Sequence, residues 1–84
     1  MQEEVMDRAD LHERLTKACV RPDAFNLNGD AQPETYVLGQ STEGWETFYS
    51  ERGLKSGRRT FSREDEACSF FLDWVISDPT THGA

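Results

Sequence analysis

Few side chains in this chain are of the types that catalyse reactions, and their spacing fits no catalytic motif. The two histidines are His12, which borders the apolar stripe of a predicted helix, and His82, which lies in the C-terminal tail. Neither has a serine or cysteine partner in a recognisable nucleophile motif. No glycine-rich segment matches a phosphate-binding loop. We therefore predict a protein with no enzymatic activity, no catalytic residues and no cofactor.

The two cysteines argue against a metal site. Cys19 and Cys68 are far apart, with no CxxC motif and no histidine at ligand spacing, so we expect no zinc. Both fall on predicted apolar helix faces, which favours two reduced and buried thiols. The alternative is a single disulfide that joins the two helices.

The formal net charge of −7 is unevenly distributed along the chain. Residues 1–51 carry eleven acidic and four basic side chains, and residues 64–84 carry five acidic and no basic ones. Between them, residues 52–63 have five basic side chains and no acidic one. A protein with this much negative charge is repelled by the nucleic-acid backbone and attracted to a basic partner. The basic residues are Arg52, Lys55, Arg58, Arg59 and Arg63.

A helix is predicted near each end of the chain. In residues 3–19, the apolar stripe recurs at i, i+4, i+7 and i+8, and Pro22 ends the helix. In residues 63–76, Ser62 is the predicted N-cap, and acidic residues fill the first turn where the helix dipole favours them. Pro79 ends this helix, and we expect residues 79–84 to form a loose tail.

Short strands are predicted between the helices, because turn signals recur every 8–12 residues. Asn28-Gly29 is a strong turn signal, and another turn is expected from Arg52 across the glycine-rich segment before the last strand. These features predict one α+β domain, residues 1–84, in which an antiparallel meander of three to four strands carries both helices on one face. The predicted strands are 24–27, 35–39, 45–51 and 58–61.

The N-terminus lacks the basic start and the apolar run of a signal peptide. No apolar run in the chain is long enough to span a bilayer. We therefore expect a cytoplasmic protein with no membrane partner. Its oligomeric state is open between a monomer and a homodimer. An apolar patch of Phe70, Trp74 and Ile76 on the second helix would favour the dimer.

Residues 35–76 resemble small immunity proteins of bacterial polymorphic-toxin and contact-dependent inhibition systems. The segment GWETFYSERG is similar to their G-W-x-x-φ-Y-S-E-R-G strand, which precedes a basic turn. The segment FSREDEACSFFL is similar to the opening F-S-x-E-x-E-A-C-x-x-F/Y-L of their following helix. The resemblance implies a non-enzymatic protein that binds a cognate toxin domain in the cytoplasm and neutralises it by blocking its active site or its access to substrate.

Charge and aromatic placement suggest where such a partner would bind. Acidic residues of the turns and strands would meet a basic toxin surface, and a tryptophan or tyrosine would anchor the contact. Two other functions stay open: a small nucleic-acid-binding regulator that uses the basic 52–63 hairpin, and a dimerising structural or adaptor subunit. The candidate partner-binding residues are Asp30, Glu34, Glu43, Trp45, Glu46 and Tyr49.

Overall fold

Two helices and a four-stranded sheet form the part of the chain that the computed structural model describes, residues 6–81. The predicted α+β fold with a helix at each end is confirmed. Two single 3₁₀ turns, Pro22–Ala24 and Pro79–Thr81, precede β1 and follow α2. The main elements are α1 (Arg8–Lys17), β1 (Phe25–Asn26), β2 (Thr35–Ser41), β3 (Gly44–Glu51), β4 (Leu54–Phe61) and α2 (Glu64–Ile76).

The strands lie in chain order, β1-β2-β3-β4, but only the last three form an antiparallel meander. The two-residue β1 pairs parallel to β2, with Phe25 opposite Tyr36. Asn28-Gly29 therefore does not close a hairpin, because a parallel neighbour needs a crossover connection. Residues 27–34 make this crossover. Gly29 passes so close to Gly39 that a Cβ atom on Gly39 would lie only 2.7 Å from the Gly29 Cα.

Both helices begin later than their sequence patterns predict. Asp7 is the N-cap of α1, and its side chain accepts a hydrogen bond of 2.9 Å from the backbone N–H of Asp10. The predicted helical residues 3–5 lie outside the described residues. For α2, the N-cap position is Arg63 instead of Ser62. The expected serine cap is therefore wrong: the N-cap residue makes no side-chain capping hydrogen bond, and its guanidinium instead donates to the Asp65 carboxylate at 3.0 and 3.2 Å.

The β3–β4 hairpin is longer than predicted. Arg52 and Gly53 form its two-residue loop, and both have positive φ, 52° and 80°, which is the geometry of a type I′ turn. β4 then starts at Leu54, so Lys55 and Arg58 lie in a strand and not in a glycine-rich turn. Gly57, at φ 62°, forms a bulge that shifts the register between β3 and β4.

One hydrophobic core fills the space between the helices and one face of the sheet. Leu11 and Leu15 of α1 and Phe71 of α2 are fully buried there, together with Leu38 of β2. Cys68 also lies in this core, and burial raises the pKa of its thiol to about 12.

Cys19 does not share that core. It is exposed, in the turn after α1, where its φ of 65° ends the helix. The prediction that it is buried is therefore wrong. Neither cysteine forms a disulfide.

The opposite face of the sheet is also partly covered. Val37 of β2 and Phe48 of β3 are adjacent on this face and are 0% and 1% exposed. The crossover of residues 27–34 reaches this face at Gly39, and the Lys55 ammonium lies 4.7 Å from the centre of the Phe48 ring. Both faces of β3 can therefore carry an aromatic side chain without a large exposed apolar surface.

We expect Gly57→Ala to lower the free energy of unfolding more than Gly53→Ala. Both glycines have positive φ, which costs a non-glycine residue roughly 1 kcal/mol. A Cβ at Gly57 would also lie 3.3 Å from the Trp74 ring, whereas nothing lies within 4 Å of a Cβ at Gly53. The Gly57 variant should lose about 1 kcal/mol more. Urea denaturation of both variants measures the difference, and equal losses would contradict the described Trp74 contact.

Thr47→Val should stabilise the protein. The Thr47 hydroxyl is the only buried side-chain oxygen or nitrogen without a hydrogen-bond partner in residues 6–81. Valine removes this unsatisfied group at nearly constant volume, which should gain about 1 kcal/mol. Thr35→Val is the matched control, because the buried Thr35 hydroxyl donates to the Pro33 carbonyl at 2.9 Å. The Thr35→Val control should be destabilised in the same urea titration. A stabilised Thr35→Val variant together with a destabilised Thr47→Val variant would contradict the assigned hydrogen bonds.

Candidate functional site

The aromatic side chains of β3 divide between the two sheet faces, and the two predicted anchors lie on the helix side. Trp45 is half-buried beneath the Arg8 guanidinium, which lies 5.2 Å from the ring centre. Tyr49 packs against Tyr36 of β2, with ring centres 4.8 Å apart. Trp45 thus belongs to the contact between α1 and the sheet, while Tyr49 stays partly exposed at the other end of β3.

Tyr49 is the last member of a row of ring contacts between α2 and the sheet. Trp74 of α2 meets Tyr36 edge-on at 4.8 Å between ring centres. Further along, Phe70 contacts Trp74, and Phe61 of β4 contacts Phe70, each at 5.5 Å. Edge-to-face and offset pairs of this kind stabilise beyond simple area burial. The row therefore fixes the rotation of α2 and the position of Tyr36.

A recess of about 310 Å³ opens where this row ends. We call it the Tyr49 recess. Its floor contains the phenol of Tyr36, which donates a hydrogen bond of 2.7 Å to Oδ2 of Asp78. Its principal lining residues are Arg21, Glu34, Tyr36, Tyr49, Asp78 and Thr80.

The turn after α2 holds Asp78 in place. Asp78 Oδ1 accepts hydrogen bonds from the backbone N–H and the hydroxyl of Thr80, at 3.0 and 2.8 Å. The buried hydroxyl of Thr81 lies 2.9 Å from the Val75 carbonyl of the last helical turn and donates to it. The N–H of Arg21 donates to the Thr81 carbonyl at 2.7 Å. Residues 79–81 of the predicted loose tail are therefore ordered, and residues 82–84 lie outside the described residues.

Carboxylate side chains outnumber cationic ones around the recess. Burial raises the pKa of Tyr49, and the neighbouring carboxylates of Glu34, Glu51 and Asp78 raise it further. Glu34 and Glu51 make no ion pair within residues 6–81. The one cation in the lining, Arg21, lies 3.6 Å from Asp23, which offsets its charge. A partly exposed tyrosine beside the carboxylates of Glu34 and Glu51, which make no ion pair in the described residues, can attract and contact a cationic group.

Comparison with family models, with curated proteins and with solved structures found no match. Across residues 6–81, no three histidine, cysteine or carboxylate side chains lie together in a way that could hold a metal ion. No helix in the same range is long and apolar enough to cross a membrane. The contacts and charges of the chain itself are therefore the basis for a functional proposal.

The structure does not bring the six predicted partner-binding residues into one patch. Glu34 and Tyr49 meet in the recess, near the end of β3 at Glu51. Glu43 lies at the other end of this eight-residue strand, roughly 25 Å away. Asp30 is exposed on the crossover and does not line the recess. Only the pair in the recess combines a carboxylate with an accessible aromatic ring.

The charge of Glu46 is compensated within the fold. Its side chain is 13% exposed and lies on the face opposite the helices, where it binds Arg58 at 2.7 Å and Lys55 at 3.5 Å. Glu43 lies 4.0 Å from the same Arg58 guanidinium. These ion pairs hold much of the charge of the basic hairpin within the fold, and Glu46 is less available to a partner than its sequence position indicates.

The sequence prediction missed four of the six principal lining residues of the recess, and also the nearby Glu51: the four are Arg21, Tyr36, Asp78 and Thr80. The sequence pattern identifies Tyr36 only as a strand residue and Pro79 only as the end of a helix. The Asp78-Pro79-Thr80 segment nevertheless carries a local signal, because an aspartate commonly accepts hydrogen bonds from residues two positions ahead. No comparable signal places Asp78 beside Tyr36, which lies 42 residues away in the chain.

We expect the stability of the wild-type protein to fall above pH 10, and Tyr36→Phe to reduce that fall. Burial, and then the hydrogen bond and charge of Asp78, raise the pKa of Tyr36 well above its ordinary value of about 10. The unfolded tyrosine therefore ionises first, so its stabilising contribution is complete below pH 10 and is lost at higher pH.

Urea denaturation from pH 7 to pH 10.5 tests this difference. At pH 7, Tyr36→Phe should lose about 1–2 kcal/mol, since it removes a hydrogen bond to a carboxylate. The gap between variant and wild type should then narrow as the pH rises above 10. A constant gap would refute the proposed contribution of Tyr36 to the pH dependence.

Proposed function

We propose that this protein is a non-enzymatic immunity protein, which binds a cognate bacterial toxin domain in the cytoplasm and blocks it. The observation that carries the proposal is the uncompensated negative charge of Glu34 and Glu51 around the partly exposed Tyr49. The resemblance of residues 35–76 to such proteins supports the same function. The partner surface would be basic, as in a groove that binds a polyanionic substrate.

Long-range attraction and short-range contact have separate roles in this proposal. The net charge of −7 would speed the encounter with a basic groove, an effect that salt weakens. The ring of Tyr49 would then supply buried contact area, which is the usual contribution of tyrosine to an interface. A bound immunity protein would exclude the substrate of the toxin from the groove without any reaction.

The basic hairpin supports a nucleic-acid regulator less well. Lys55 and Arg58 are paired with Glu46, and Arg63 with Asp65. Arg59 lies over the Phe70 ring, 5.0 Å from its centre. These contacts would have to be exchanged for phosphate contacts, against the repulsion of the whole chain.

A dimer through the second helix has less support than the sequence suggested. Phe70 and Trp74 pack against each other and against Phe61 and Tyr36, and both are half-buried in this way. Ile76 is 36% exposed on the same helix. A single partly exposed isoleucine is a normal feature of a monomer surface and does not make an interface.

A growth-protection assay tests the proposed function and its surface together. A toxin domain encoded beside this gene is expressed in a bacterial host, alone and with this chain. We expect the chain to restore growth and to co-purify with the toxin domain. The variant Glu34→Lys/Glu51→Lys should lose protection, because it reverses two of the charges around Tyr49.

The control is Glu13→Lys, which reverses one charge on the exposed face of α1, away from the recess. It should protect as well as the wild type. Urea denaturation confirms that each variant is folded. Failure of the wild type to protect against the adjacent toxin domain would contradict the function, while full protection by the double variant would contradict the proposed surface.

A further inference from the structure

We infer that the Tyr49 recess is a receptor for one cationic side chain, an arginine or lysine that the partner inserts. This inference rests on the proposed function for the identity of the partner, but the chemistry of the recess can be tested without it. The evidence consists of the size of the recess, its aromatic wall and the balance of its charges.

The size of the recess suits a side chain. Its volume of about 310 Å³ is at the lower end of the range of small-molecule pockets, roughly 300–1,000 Å³. It lies between the end of β3 and the turn at Asp78, and neither helix closes over it. A side chain that projects from a partner surface could enter it without rearrangement of the backbone.

The aromatic wall provides a surface for a cation. Tyr49 is oriented by its contact with Tyr36, whose own ring is fixed by Trp74 and by the bond to Asp78. Guanidinium and ammonium groups bind the faces of such rings within about 6 Å. Elsewhere in this chain, Arg8 and Arg59 make such contacts with Trp45 and Phe70, at 5.2 and 5.0 Å.

The charges that border the recess also favour a cation. Glu34 and Asp78 line it, and Glu51 is close enough to act on Tyr49. Arg21 makes no ion pair with Glu34 or Glu51 within residues 6–81, because it lies beside Asp23 and donates a hydrogen bond of 3.0 Å to the Thr80 carbonyl. The phenol of Tyr49 makes no hydrogen bond within residues 6–81 and can accept one from a ligand.

NMR titration with N-acetyl-arginine amide tests the inference directly. We expect saturable chemical-shift changes at residues 34, 36, 49 and 78, with a dissociation constant on the order of millimolar for a single side chain. N-acetyl-citrulline amide is the neutral control of nearly the same shape, and it should bind at least tenfold more weakly. Equal shifts with both compounds, or no saturable shift at these residues, would overturn the inference.

Two variants separate recognition in the recess from general attraction to an acidic protein. Glu34→Gln and Tyr49→Leu should each weaken binding of the arginine compound at least threefold. Glu13→Gln removes an equal charge from α1, away from the recess, and should leave binding unchanged. If Glu13→Gln weakens binding as much as Glu34→Gln, the recess is not the site.

A third variant distinguishes a binding role of Glu34 from a structural one. Glu34 has a φ of 53°, a conformation that glycine adopts more readily. Glu34→Gly should therefore raise the urea midpoint and still weaken binding of the arginine compound at least threefold. Unchanged binding in this folded variant would overturn the role of Glu34.

The two proposals can fail separately. If the arginine compound does not bind but the chain protects cells from the toxin, the recess inference is wrong and the immunity function stands. If the arginine compound binds at the recess but no protection is seen, the recess is a cation receptor and the immunity proposal is wrong.

Discussion

The placement of Tyr36 is the constraint on which most of this structure depends. Its ring contacts Tyr49, Phe71 and Trp74, and its hydroxyl binds Asp78 in the turn after α2. One side chain of β2 thereby joins the neighbouring strand, the packed face of α2 and the segment that follows that helix. Because α2 is held at both its face and its end, the recess beside Tyr49 has a defined shape.

Much of the fold could be predicted from local patterns, and the exceptions share a physical cause. The apolar stripe around Leu11 and Leu15 and the acidic first turn of α2 depend on neighbours in the chain, so they identified the helices. The parallel β1 depends on the approach of Gly29 to Gly39, which no turn signal encodes. An Asn-Gly pair indicates a tight change of direction, but it does not determine which strand pairs with which.

The residues of the candidate site could also be predicted only in part from the sequence. Glu34 and Tyr49 could be selected from charge and residue type alone, and the structure places them together. Glu46 met the same criteria, but its carboxylate binds Arg58 and Lys55 across the hairpin. The sequence gives the number of charged side chains. Whether one of them is available to a binding partner depends on its ion pairs, which only the tertiary structure defines.

Hydrogen–deuterium exchange of this protein, free and in complex with its toxin domain, tests the central claim most directly. The account predicts that binding slows exchange around the recess, in residues 34–36, 49–51 and 78–80. Exchange along the β4 edge and the exposed face of α1 should change little. Slowed exchange confined to β4 or α1, with the recess unaffected, would contradict the account.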